Sequence, residues 1–227
     1  MAGPDADAID RSGAEPEPES EHAGLDFERM LFFSDAVFAI AITLLVIELQ
    51  LPDLPERPTG EAVASALASV LPQVFAYALS FATIGLYWYA HWRRFRYIVR
   101  LDVQLLALNL VQLGLIAFIP FPTAMIGEHG DQPLIVIVYA VSLALAGVIG
   151  PLTWLYAWRA GLTRPGLSDR FVRFVAVRGF SVPLVMIGSL VVLPVLGTSA
   201  VEIGWLLIAP VQWLLNRGLR PIETGHW

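Results

Sequence analysis

Arg29, Ser34 and Asp35 open an otherwise apolar run from Glu28 to Pro52, and Trp88, His91 and Asn109 interrupt two later apolar runs. Residues of these types can do two kinds of work inside a membrane. A carboxylate and an imidazole at similar depth can pass a proton, as Asp35 and His91 would in a proton-leak pathway or an ion-coupled transporter. Alternatively, a carboxylate, a hydroxyl, an indole N–H and a carboxamide can hydrogen-bond between helices. Either use has to offset a cost, because a charged side chain at the centre of a spanning helix costs about 2.5 to 3.5 kcal/mol on insertion scales. Trp88 and His91 share a helical face at i, i+3 spacing, at about the depth expected for Asp35. Each has an ordinary structural reading as well. The indole suits an interfacial aromatic belt, the histidine a hydrogen-bonded structural role, and Asp35 a helix cap or a headgroup contact. Asn109, with the less distinctive Gln104 and Gln112, suits interhelical hydrogen bonds of about 0.6 kcal/mol each.

Composition removes other chemistries. The 227 residues include no cysteine, which excludes disulfides, zinc-thiolate sites, iron–sulfur clusters and a thiol nucleophile. All fourteen basic residues are arginine, so Schiff-base chemistry and a serine–lysine dyad are absent. No HExxH run and no paired aspartates occur within the apolar segments. An enzyme is therefore not expected, and neither is a cofactor. With a net charge of -6, no nucleic-acid partner is expected either.

The elements that must position these residues are membrane helices. The chain is 56% hydrophobic and only 15% charged, outside the range of ordinary soluble domains. Apolar windows of about 20 residues, enough to cross about 30 Å of hydrocarbon, fall at Met30 to Leu51, Val63 to Trp92, Leu101 to Ile126, Leu134 to Trp158, Phe171 to Leu196 and Ala200 to Leu215. The expected fold is all-α with six transmembrane helices. Residues 1–26, acidic and rich in Pro, Gly and Ala, read as a disordered cytoplasmic tail; residues 27–217 form the transmembrane domain and 218–227 a short cytoplasmic tail. Arginines 93, 94, 96 and 100 follow the second window, Arg159, Arg164, Arg170, Arg173 and Arg178 lie at or near the break between the fourth and fifth, and Arg217 and Arg220 follow the sixth. The alternate breaks hold only Arg57, beside Asp53, Glu56 and Glu61. The excess of basic residues marks cytoplasmic loops, so both termini are expected in the cytoplasm.

On the first helix, at about 100° per residue, Ile47 falls within about 20° of Ile40 and Leu44 within about 40°. Phe33, Ala36 and Leu51 lie in the same arc, and Thr43 stands on its shoulder, about 60° away. Ser34 and Asp35 project about 120° to 140° from this stripe. Arg29 lies near the stripe and about 120° from Asp35, a poor placement for pairing within one helix, so Asp35 is expected to find partners on another. Ile and Leu at this spacing ordinarily face lipid or a neighbouring helix, and periodicity does not choose between those surfaces and a pore.

Arg29 followed by Phe33-Ser34-Asp35, the run VFAIAITLLVIELQLP, Trp88 and His91 in the second helix, and Asn109 with Pro120-Phe121-Pro122-Thr123 in the third together resemble the prokaryotic branch of the transmembrane protein 175 family of potassium channels. The resemblance covers the chain from about Phe27 onward, with its specific motifs in the first three helices. It implies a six-helix subunit without a carbonyl selectivity filter, and no TVGYG-like run is present. It also implies that the first helices of the assembled subunits line the pore, with Ile40, Leu44 and Ile47 forming an apolar constriction and Thr43 a hydroxyl ring nearby. Arg29, Phe33, Ser34, Asp35, Trp88, His91 and Asn109 would form a packing network. Many relatives carry glycine where this chain has Ala36 and a second histidine where it has Trp92. The expectation is a potassium-permeable channel, a homotetramer in the lipid of a bacterial plasma membrane, passing monovalent cations through a hydrophobic gate.

Overall fold

The computed structural model describes residues 18–218. Among them the structure is helical with no β-strand: α1 (Pro18–Leu44), a 3-10 turn (Leu45–Glu48), α2 (Gly60–Ser69), α3 (Leu71–Phe95), α4 (Val103–Phe118), α5 (Pro120–His129), α6 (Pro133–Arg159), α7 (Asp169–Gly204), a second 3-10 turn (Trp205–Leu207) and α8 (Ile208–Gly218). The helix α1 begins at Pro18, inside the segment expected to be an unstructured tail; residues 1–17 and 219–227 lie outside the described residues.

Helix boundaries follow from local chemistry. Thr59 caps α2 by accepting from the Ala62 N–H at 3.2 Å, and Asp102 caps α4 by accepting from the Leu105 N–H at 2.7 Å. Each satisfies an amide that has no partner within its own helix. The other carboxylate oxygen of Asp102 accepts from the Tyr156 hydroxyl at 2.6 Å, which ties the start of α4 to the end of α6. Pro72, in the first turn of α3, stands beside the break at Val70, where α2 and α3 meet at a 40° bend. The junction of α4 and α5 at Ile119 keeps helical dihedrals, so Val103 to His129 runs as one apolar stretch.

Among the described residues four helical stretches can cross a membrane by length and composition, and the bent pair α2–α3 makes a fifth. The last stretch, Asp169 to Leu214, contains two of the expected windows. It is broken at Gly197, whose φ of 76° and ψ of 174° are non-helical. Two hydrogen bonds lie symmetrically about this glycine: Trp205 Nε1 donates to Ser189 Oγ at 2.8 Å, and Gln212 Nε2 donates to Ser181 Oγ at 2.7 Å. The chain therefore reverses at Gly197, and the two arms pack as an antiparallel hairpin.

The core gathers Phe38, Ile84, Tyr87, Leu113, Ile116, Tyr139, Leu143, Met186 and Trp205. Hydroxyls within it are partnered: Ser80 Oγ bonds Thr123 Oγ1 and the Tyr139 hydroxyl, each at 2.8 Å, and the Tyr87 hydroxyl donates to the Leu143 carbonyl at 2.8 Å. Large apolar side chains such as Leu110, Val191 and Val195 remain exposed, as suits a surface solvated by lipid. At one end, the connections α3–α4 and α6–α7 are joined backbone to backbone. The Val99 N–H donates to the Leu162 carbonyl at 2.8 Å, and the Arg164 N–H donates to the Tyr97 carbonyl at 2.8 Å. These two arginine-bearing connections thus share one end of the bundle. Arg93 and Arg94, expected in the loop after the second window, lie instead in the last turn of α3, and Arg94 is buried.

Candidate functional site

One face of α1 is locked into the bundle. Met30, Ser34, Phe38, Ala41 and Leu45 are all buried, and their spacing of four, four, three and four residues follows the helical period. Ser34 has no exposed surface; its hydroxyl donates to the Met30 carbonyl at 2.8 Å and accepts from Asn109 Nδ2 of α4 at 2.9 Å. The next residue turns to a different helix: Asp35 Oδ1 accepts from Trp88 Nε1 of α3 at 2.9 Å. Phe38 lies with its ring centre 5.5 Å from that of His91, which in turn packs 4.3 Å from Phe95.

The structure thus brings Ser34 to Asn109, Asp35 to Trp88, and His91 between two phenyl rings. Trp88 and His91 do not act as a pair. The indole reaches Asp35 from a partly exposed position, whereas the imidazole is 1% exposed and, among the described residues, both its nitrogens lack a hydrogen-bond partner. Asn109 Oδ1 is likewise unpartnered. Arg29 and Phe33 stand apart from these contacts on the exposed side of α1, and among the described residues Arg29 forms no ion pair. Phe38 and Phe95 are neighbours of His91 that the polar-residue pattern did not single out. Only the buried period through Met30, Ser34 and Phe38 carried a signal for the first.

The opposite face of α1 is uncovered. Ile40 is 57% exposed, Leu44 39% and Ile47 64%, with Thr43 exposed between them and Ala36 exposed one turn earlier. The Thr43 hydroxyl donates to the Ile40 carbonyl at 2.9 Å, so its hydrogen is already used within the helix. The geometry departs from a regular α-helix at the end. From Leu45 to Glu48 the chain tightens to a 3-10 turn, in which residues three apart eclipse, so Ile47 stands almost directly above Leu44. Beyond it Leu49 is extended, and the Gln50 N–H donates to Gln73 Oε1 of α3 at 3.0 Å, fixing the exit of the helix. Among the described residues no group of three or more His, Asp or Glu is placed to hold a metal ion.

The arrangement is that of an all-helical membrane protein whose amino-terminal helix is pinned by polar contacts on one side and left bare and apolar on the other. Residues 29–120 match the family model of the endosomal/lysosomal potassium channel TMEM175. The chain is 38% identical over 157 residues to a potassium channel of Chamaesiphon minutus, the match covering 67% of this chain and 74% of that protein. It is also 38% identical over 138 residues to a potassium channel of Streptomyces collinus, covering 61% of this chain and 65% of that one. The fold superposes with a TM-score of 0.67 and 25% identity on the crystal structure of a lysosomal potassium-selective channel TMEM175 homologue from Chamaesiphon minutus, covering 84% of this chain and 98% of that one. The chain belongs to the TMEM175 family, and the resemblance carried by the Arg29 to Thr123 motifs is borne out.

Proposed function

We propose that this protein is a subunit of a potassium-permeable channel in which α1 lines the pore. The observation that carries this reading is the two-faced character of α1. Met30, Ser34, Phe38, Ala41 and Leu45 bind it to its own bundle, while Ile40, Leu44 and Ile47 face outward in an unbroken apolar row. One helix encloses nothing, so several copies must supply the row, and a homotetramer in a bacterial plasma membrane is the assembly proposed. Six spans with both termini cytoplasmic complete it, supported by the chain reversal at Gly197 and by the joining of the two arginine-bearing connections at one end. Membership of a family whose bacterial relatives carry the name potassium channel supports the choice of ion.

A ring of isoleucine and leucine offers a cation no ligands. It acts as a barrier that conducts only when wetted, so selection rests on size and hydration rather than on coordination. The passive route through this row is preferred to a proton path through Asp35 and His91. Among the described residues no hydrogen bond joins those two; Asp35 is engaged by Trp88, and His91 sits in an aromatic sandwich.

The test is current through purified protein in liposomes under a potassium gradient, comparing wild type with Ile40→Asn. Amides in place of the isoleucines lower the wetting barrier, so potassium current should rise while discrimination against sodium weakens. An assembled Ile40→Asn protein with unchanged conductance and selectivity would show that the row packs against lipid, and the pore would have to lie elsewhere.

A further inference from the structure

Arg94 is 6% exposed, yet among the described residues it forms neither an ion pair nor a hydrogen bond. Its guanidinium lies across the backbone of α6 at Gly150, where an added Cβ would collide with Arg94 Nη2 and stand 3.0 Å from Gln112 Nε2. The absence of a side chain at Gly150 is what admits the charge to this place. A buried cation left without a counter-charge carries a penalty of several kcal/mol, so an arginine held this way needs an anion or water.

Beside it is a cavity of about 60 Å³ between α3, α6, α7 and α8, lined by Arg93 and Arg178 as well as Arg94. Among the described residues no carboxylate belongs to its lining. Arg93 is steadied over the ring of Tyr89 at 5.8 Å, and Arg178 Nε donates to Gln212 Oε1 at 3.3 Å. The cavity is well above the about 10 to 15 Å³ that one water needs and leaves room for a small group such as a phosphate. Guanidinium forks bind the oxygens of carboxylates and phosphates two at a time, and a phosphate has oxygens enough to meet several of them at once.

The location distinguishes a lipid from a free anion. Arg93 and Arg94 are in the last turn of α3, at the end of the bundle where the arginine-bearing connections lie. The remaining wall includes Val182, which is buried, and Leu86 and Val175, which are apolar and partly exposed. Basic pockets between spanning helices on the cytoplasmic side suit anionic headgroups, and here an apolar wall continues from the charges toward the surface that hydrocarbon covers. We propose that this cavity binds an anionic phospholipid, with its phosphate held by Arg94, Arg93 and Arg178 and an acyl chain lying along Leu86 and Val175. The site is separate from the exposed face of α1 and holds whichever ion the protein conducts.

Full-length protein freed of native lipid is titrated with phosphatidylglycerol, phosphatidylcholine or inorganic phosphate, with bound lipid counted by native mass spectrometry and stability read from thermal unfolding. Wild type should bind phosphatidylglycerol in preference to phosphatidylcholine and unfold at a higher temperature in its presence. Arg94→Met should weaken that binding about tenfold or more, the scale of one lost charge-assisted contact. Without lipid it should be at least as stable as wild type, because an uncompensated charge has been removed. Arg178→Gln, at the mouth, should weaken binding without disturbing the core. Equal phosphatidylglycerol binding by wild type and both variants would overturn the site. Equal stabilisation by inorganic phosphate would make it a free-anion pocket and overturn the lipid, and no stabilisation by either would leave water as the solvent of Arg94.

Discussion

Ser34 and Asp35 are adjacent in sequence and serve different helices, Ser34 binding α4 through Asn109 and Asp35 binding α3 through Trp88. The 100° step between consecutive residues makes this division possible. It also means that the two contacts together fix the rotation of α1 about its own axis, and so which side chains remain on the bare face. At Ser34 the prediction is asymmetric. Ser34→Ala leaves the buried Asn109 amide without its acceptor and should cost about 1 to 3 kcal/mol in unfolding free energy. Replacing both partners, Ser34→Ala with Asn109→Leu, should recover much of that loss, since no polar group is then left unpaired. Strict additivity of the two single changes in a double-mutant cycle would mean that the 2.9 Å contact contributes nothing.

At the scale of elements, the hairpin within Asp169 to Leu214, whose turn at Gly197 lies inside α7, depends on a single backbone conformation. Gly197 combines φ 76° with ψ 174°, a region that side-chain-bearing residues essentially do not occupy, at about 1 to 3 kcal/mol of strain. Space is not the obstacle, because a Cβ added there would meet nothing within 4 Å. Gly197→Ala should therefore lower the midpoint of thermal unfolding through the backbone alone. Gly204→Ala provides the control: that residue has ordinary helical dihedrals, φ -58° and ψ -28°, and equally open surroundings, so the change should be neutral or mildly stabilising. Equal effects at the two positions would mean that the reversal tolerates a different geometry. A similar local control operates at the end of α1. The chain before Pro52 must leave the helix, and the 3-10 turn from Leu45 to Glu48 takes up the change by stacking Ile47 on Leu44.

For the whole molecule, the joined connections α3–α4 and α6–α7 lie at one end of the bundle, and the proposed topology, which follows the excess of arginine there, makes that end cytoplasmic. Because the chain lacks cysteine, introduced thiols are read without background. Asp131 and Pro165 are both exposed, the first between α5 and α6 and the second between α6 and α7. In intact cells, cysteine at Asp131 should react with an impermeant maleimide, and cysteine at Pro165 should react only after permeabilisation. The opposite pattern would invert the topology and move the arginine-lined cavity to the outer leaflet.

Membrane residence, the helical class and the existence of an apolar row on the first helix were legible in residue order, because hydropathy and the 3.6-residue period are local properties. The family could be recognised for the same reason, since its motifs lie close together along the first three windows. What residue order left open was which helix each polar group would meet. Trp88 and His91, alike in depth and three residues apart, diverge because one faces Asp35 and the other is enclosed by Phe38 and Phe95. Loop arithmetic treated Arg94 as one more cytoplasmic charge. Only the approach of α6, with a glycine at position 150, decided that this arginine would be buried. Contacts between residues far apart in the chain depend on how the helices pack, and no period within one helix encodes the face that a distant helix will present to it.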